Sequence, residues 1–135
     1  MYVCGQYIDG SNYGYRLFSN NFGGPPWYWS YYHRASSGLV VAMDCPTAIV
    51  ADTWAHIAIV KTGSVWDMYL NGVKGATRTD ANAPADINLD WVWGALNVAG
   101  DKNYFPFPGN LDDWCFHDEA VYSGDFTPAQ LSKYL

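Results

Sequence analysis

Cys115 and His117 stand two residues apart near the end of the sequence, and Asp112 and Asp113 come just before them. On a strand, a thiol and an imidazole at that spacing share a face. That is the arrangement of a Cys–His nucleophile pair or of two zinc ligands. No matching second pair sits nearby in sequence. Cysteine is among the most buried residue types, so a buried thiol beside a strand-end histidine accounts for the pair without chemistry. Asp112 and Asp113 are adjacent, so on a strand they point to opposite faces and cannot work together on one sugar. Glycoside hydrolysis asks for two carboxylates, one of them held protonated. The chain has a single Glu, Glu119, and no Gly-x-Ser-x-Gly elbow. These residues do not predict an enzyme.

Two other groups offer binding rather than bond-making. Asp86-x-Asn88-x-Asp90 would set three oxygen side chains on one strand face. Calcium takes six to eight oxygens, usually from a loop, and this segment lacks the Gly and the distal Glu of an EF-hand. A solvated strand face is the simpler account. Asp101 and Asn103, in a later loop, offer the same ligand chemistry. The second group is aromatic: Trp27 to His33 reads WYWSYYH. Trp27, Trp29, Tyr31 and His33 share one strand face, and Tyr28, Ser30 and Tyr32 the other. One set must face the core, and the other then exposes rings that can stack on sugars or on a partner. The expected ligand contacts are Trp27, Trp29 and Tyr31, with Tyr104 and Phe105 from a Pro-rich loop that also carries Phe107. Plain core packing with crowded cross-strand pairs is the competing account.

Positioning these residues falls to a hairpin at Thr53–Lys74. Ala55, Ile57 and Ile59 alternate with Trp54, His56, Ala58 and Val60; Trp66, Met68 and Leu70 alternate with Asp67, Tyr69 and Asn71. A period of two is that of a pleated strand. Thr62-Gly63-Ser64 is the turn between them, and Asn71-Gly72, both tolerant of positive φ, closes the second strand. Upstream, strands are expected over 2–8, 15–19, 27–33 and 39–43, the last ended by Asp44-Cys45-Pro46. Downstream, a polar strand edge follows Gly75, an alternating strand runs over 87–93, a short strand and a long loop occupy 94–109, and a closing strand runs over 110–117. Thr127-Pro128-Ala129-Gln130 reads as the capped start of a short helix.

The pattern Trp54-x-His56-Ile57-Ala58-Ile59-Val60, then Met68-Tyr69-Leu70-Asn71-Gly72, resembles the central hairpin of laminin-G-like domains of the concanavalin-A-like lectin/glucanase superfamily. Phe107-x-Gly109-x-Leu111-Asp112-Asp113, then Trp114-Cys115-Phe116 and Ala120-Val121-Tyr122-Ser123-Gly124, resembles that family's closing strand. The resemblance covers roughly 53–135 and implies an all-β fold, a two-sheet antiparallel jelly-roll sandwich forming one domain. It also implies calcium at a sandwich rim, and a closing-strand Asp112 that is structural, on the face of Trp114 and Phe116. The Glu-x-Asp-x-x-Glu type motif of the family's glucanases is absent. One or two family strands would precede the region that 2–19 matches, which leaves an open sheet edge.

Composition sets bounds on partners. Half of the 135 residues are hydrophobic and 18% aromatic, which suits one domain with one core. The net charge of −6, with basic residues spread singly, supplies no basic patch for nucleic acid. No apolar run is long enough for a membrane span. Three cysteines cannot all pair internally; Cys4–Cys45 remains open, and three free thiols are expected. Met1–Gly5 carries no basic start and apolar stretch, so no signal peptide is expected there; for the extracellular or virion-surface location expected, either the chain is a piece of something larger or it reaches the outside without secretion, as a virion protein released by lysis would. The expected role is a non-catalytic lectin-like module for glycan or a surface polymer. The alternative is a virion structural protein, a phage capsid decoration or tail subunit, whose aromatics contact other virion subunits or copies of itself.

Overall fold

The computed structural model describes residues 1–9, 12–35, 38, 40–85, 87–99, 101–113 and 115–128, and only the backbone of 8, 9, 12, 13 and 102–104. Among them are nine strands: β1 (Tyr2–Asp9), β2 (Asn12–Asn20), β3 (Tyr28–Arg34), β4 (Val40–Ala48), β5 (Ile57–Thr62), β6 (Val65–Leu70), β7 (Val73–Thr79), β8 (Leu96–Val98) and β9 (Asp101–Tyr104). They form a six-stranded sheet in the order β4-β3-β2-β1-β8-β9 and a three-stranded sheet β5-β6-β7. All neighbours are antiparallel except β1 and β8, which run parallel with Gln6 opposite Asn97.

The hairpin expected at the centre is present, from Ile57 to Leu70, with Gly63-Ser64 as its two-residue turn. Gly63 holds φ 59°, and Asn71 and Gly72 hold φ 51° and 81° before β7. These are the left-handed values a tight hairpin turn demands. Trp66, Met68 and Leu70 point across to Leu17, Trp29, Tyr31, Met43 and Cys45 of the larger sheet, and together they make the core. The sheets meet along β4 and β7, where Arg78 Nε donates to the Ala42 carbonyl at 2.8 Å. A Cβ on Gly75 would sit 2.9 Å from Cys45 Sγ, so only glycine lets these edges approach.

The outside of the small sheet is covered by the segment 122–128. Tyr122 and Phe126 stack at 3.5 Å, and both rings meet Tyr69 and His56. Phe126 N donates to the Gly72 carbonyl at 2.9 Å, and Lys74 N to Asp125 Oδ1 at 2.9 Å. This cover explains why Tyr69, on the outward side of β6, is fully buried.

Several expected elements differ. The strand expected to end at Asp44-Cys45-Pro46 runs through them to Ala48. It is an edge strand, where proline's missing N–H costs no ladder bond, and its pairing with β3 is irregular between Tyr28 and Ser30. Residues 87–93 form no strand beyond one bridge, Trp93 to Cys4. Asn88 takes φ 52°, and buried amide side chains satisfy the carbonyls: Gln6 donates to Leu89 O, and Asn97 Nδ2 to Asp90 O at 2.9 Å. The closing strand expected over 110–117 is likewise irregular among its described residues. Asp113 takes φ 53° and its N–H goes to Asp112 Oδ1 at 2.8 Å, a local bond that competes with a ladder. No helix occurs among the described residues; Thr127 and Pro128 are irregular, and the remainder of the expected helix lies outside them.

His33 is fully buried against the Trp66 ring at 4.4 Å, and neither ring nitrogen has a hydrogen-bond partner. Burial holds its pKa below the ordinary 6.5, only partly opposed by Asp80. Asp67 acts in the same sense. Its burial pushes the carboxyl up, but hydrogen bonds from Lys74 Nζ at 2.7 Å and Thr77 Oγ1 at 2.5 Å outweigh that and hold it low. A depressed folded-state pKa means that the unfolded chain binds the proton first, so stability falls as pH drops. The thermal midpoint is therefore expected to fall from about pH 6.5 downward as histidines protonate, and again in the carboxylate range. In a His33→Phe variant followed by calorimetry the first fall should shrink.

Candidate functional site

The register of the larger sheet assembles a site on its outer face. One ladder row runs Tyr2, Phe18, Ser30, Asp44 across β1 to β4; the next runs Gly5, Arg16, Tyr32, Ala42. Alternation sends these side chains away from the core, because Leu17, Trp29, Tyr31 and Met43 between them point inward. The rings form a continuous sheet-top layer. Phe18 meets Tyr2 at 5.2 Å and Tyr32 edge-on at 5.1 Å, and Tyr2 meets Phe105 at 6.0 Å.

Polar groups sit within this layer. Ser30 Oγ donates to Asp44 Oδ1 at 2.6 Å, and Tyr32 Oη to the same oxygen at 3.2 Å. The Arg16 guanidinium carbon lies 5.6 Å from the ring centres of Tyr7 and Phe18 and 5.8 Å from that of Tyr32. Beside it opens a pocket of about 320 Å3 lined by Tyr2, Tyr7, Arg16, Leu96, Val98 and Phe105. A Cβ on Gly5 would lie 2.8 Å from Leu96 Cδ1 and 3.0 Å from the Tyr15 carbonyl oxygen. Phe105 is exposed and holds φ 50°, a value bulky residues rarely adopt and one that tends to mark functional sites.

A second opening, of about 920 Å3, lies between the sheets on the side away from the β4–β7 contact. Its walls include Trp29, Tyr31 and Trp66 from the core and Trp91, Trp93, Phe107 and Phe116 from the irregular segments. Trp29 and Tyr31, expected as ligand contacts, are thus buried against the opposite sheet, not displayed. The physical reason is size: sheets stack about 10 Å apart, and indole and phenol fill that gap where Ser30 on the other face would not. Burial also pushes the Tyr31 phenol far above its ordinary range. Trp27, just before β3, is exposed at 39%. Phe105 does line a surface pocket, with a different set of rings. The side chain of Tyr104 lies outside the described residues.

Among the proposed calcium ligands, Asp86 and the side chain of Asn103 lie outside the described residues. Asn88, Asp90 and Asp101 are exposed. Among the described residues no three His, Cys, Asp or Glu side chains gather as a metal site. Cys115 Sγ and His117 Nε2 do meet, at 3.1 Å, but on the surface and not as the buried pair expected. A full zinc shell takes four ligands, and a nucleophile needs an oxyanion site as well. Phe116, expected in the core with Asp112, is 71% exposed, and Asp112 is exposed too; Trp114 lies outside the described residues. All three cysteines are free, so the open Cys4–Cys45 pairing is not made. Burial raises the Cys4 thiol to about 12, partly opposed by a backbone hydrogen bond at Leu17. At neutral pH that thiol stays protonated and inert.

Two antiparallel-dominated sheets packed face to face define a β-sandwich, with rings and hydroxyls on one outer face. The model of the laminin-G family Laminin_G_3, described as concanavalin A-like lectin/glucanases superfamily, matches residues 4–127, and the chain belongs to that family. No curated protein and no solved structure matches the chain. Among the described residues no helix is long and apolar enough to cross a membrane.

Proposed function

We propose that this domain is a non-catalytic, lectin-like module that binds a glycan or surface polymer across the outer face of the six-stranded sheet. The observation that carries it is the pair of ladder rows in which rings alternate with a hydroxyl-bonded carboxylate. Pyranose rings present C–H faces that pack on aromatic rings, and hydroxyls that pair with carboxylates and phenols. Family membership supports a carbohydrate-binding type of module and points the same way. Among the described residues the Asp44 carboxylate has two hydroxyl partners, Ser30 and Tyr32, and no second carboxylate as a hydrogen-bond partner, which fits binding better than hydrolysis.

A glycan array with the full chain, run with and without calcium, tests this reading. Phe18→Ala and Tyr32→Ala are each expected to weaken the best hits at least tenfold, about 1.4 kcal/mol. No hit on either array removes the lectin reading. Phe105→Gly separates binding from folding. Glycine relieves the left-handed φ, so stability should stay within about 1 kcal/mol of the parent while binding drops.

A second reading is assembly, as a virion subunit or with copies of itself. What favours it is β5, which has β6 on one side and no strand on the other among the described residues. Val50 and Trp54, just before it, are exposed at 67% and 39%. Such an edge templates pairing with another chain. Light scattering during gel filtration should then give a closed oligomer; a monomer at all concentrations removes this reading.

A further inference from the structure

We infer that Cys115 and His117 form a thiol–disulfide exchange site, in which His117 takes the thiol proton and Cys115 becomes joined to an external disulfide, a cationic one in preference to an anionic one. Cys115 Sγ and His117 Nε2 lie 3.1 Å apart, and Cys115 is exposed. With the ring proton on Nδ1, Nε2 accepts the thiol's hydrogen bond and is placed to take its proton. Phe116, between them in sequence, is seated on two tryptophans, edge-on to Trp91 at 5.5 Å and 5.7 Å from Trp93. Trp93 is bridged to Cys4 of β1, so that seat belongs to the larger sheet. The other two cysteines are buried, and burial raises the Cys4 thiol to about 12, so Cys115 is the thiol presented to a reagent.

Exchange needs neither the oxyanion site of acyl transfer nor a set of metal ligands. The Cys115 proton passes to His117 Nε2, and the sulfur's electron pair forms a bond to one sulfur of the external disulfide. The bond between the two external sulfurs breaks, and its electron pair leaves with the far sulfur as a thiolate. That thiolate takes the proton back from His117. The Cys115 sulfur is oxidised, the departing sulfur is reduced, and the products are a mixed disulfide and a free thiol. The wall of the inter-sheet opening that carries Cys115 and His117 also carries Asp112, Asp113, Asp118 and Glu119, against Lys61. Carboxylates disfavour a thiolate standing alone, but a thiolate beside an imidazolium is neutral as a pair. The same carboxylates act fully on an incoming reagent, drawing in a cation and repelling an anion.

The test treats the whole chain with cystamine, a cation, or with oxidised glutathione, an anion, and follows it by intact mass and peptide mapping. One mixed disulfide is expected, at Cys115, with Cys4 and Cys45 unmodified. His117→Asn keeps a hydrogen-bonding side chain and removes the base, so exchange is expected to slow about tenfold with an unchanged thermal midpoint. Should that midpoint drop, His117→Gln replaces it in the comparison. The cystamine-to-glutathione rate ratio, divided by the same ratio for free cysteine, is expected to be about fivefold at low salt and to shrink in 0.5 M salt, about 4 Å of Debye length. Equal rates in the parent and the histidine variant, or adducts at Cys4 or Cys45 in the folded protein, overturn the inference. A ratio no greater than that of free cysteine overturns the preference for a cationic disulfide.

Discussion

Replacing Trp66 by Ala is expected to cost about 3–5 kcal/mol of folding stability, read as a lower urea midpoint with little change in slope. Trp66 is the side chain that most directly joins the two sheets. Its ring meets Tyr31 at 6.1 Å and His33 at 4.4 Å across the interface, and its Nε1 donates to the Asp80 carbonyl at 3.1 Å. A buried indole removes roughly 200 Å2 from water, worth about 5 kcal/mol at 25 cal/mol per Å2. Truncation also leaves a cavity beside an opening that already reaches the core. Domains of this size hold about 5–15 kcal/mol in total, so the variant should sit near the edge of folding. Trp66→Phe is the control. It keeps most of the ring and gives up the bond to Asp80, so a loss of about 1–2 kcal/mol is expected. Equal losses in the two variants would mean that the hydrogen bond, not the packing, carries the effect.

Gly72→Ala is expected to cost more than the textual similarity of its turn to Gly63 suggests. Both glycines hold positive φ, 81° and 59°, and alanine in that region costs roughly 1 kcal/mol at either site. At Gly63 nothing lies within 4 Å of the added Cβ. At Gly72 the Cβ runs into the Phe126 carbonyl oxygen and approaches Pro128 Cδ at 3.0 Å. Backbone cannot step aside as a flexible side chain would, so the 122–128 cover must lift. Tyr69 and His56 then lose their aromatic lid, and Lys74 N loses Asp125. A total loss of about 3 kcal/mol is expected for Gly72→Ala against about 1 kcal/mol for Gly63→Ala. Hydrogen exchange at the Lys74 amide should accelerate in the first variant alone. Matching losses and unchanged exchange would show that the cover does not clamp the hairpin.

The hairpin from Ile57 to Leu70 and the Asn71-Gly72 turn were legible because local alternation and turn chemistry agree with each other. Which face of Trp27–His33 turns inward was not legible from that strand alone, since both faces carry rings. It depends on Trp66 and Met68 in the other sheet, some 35 residues away, and on the bulk that an inter-sheet gap of about 10 Å demands. Asp44 read as the end of a strand because Pro46 follows it; an edge position removes that objection. Arg16 attracted no notice as a single cation in YGYRLFS, yet the register puts it among three rings from three strands. Residues 87–93 and 110–117 alternate in type like strands. Left-handed Asn88 and Asp113 and side-chain bonds to their carbonyls or amides divert them, and no periodicity reveals that.

The parallel pairing of β1 with β8 has a temporal consequence. β1 meets β2 as soon as its hairpin emerges, but its other neighbour is about ninety residues further along the chain. The cost of closing such a loop grows only slowly with length, so the finished sheet is not much less stable for it. The speed of reaching it is another matter, because contacts this distant in sequence raise the contact order and slow folding towards milliseconds to seconds. During synthesis the flank of β1 that carries Cys4, Gln6 and Tyr7 must wait for β8, one half of an incomplete sheet. Chaperone dependence in expression, more than any equilibrium measurement, is where that delay should surface.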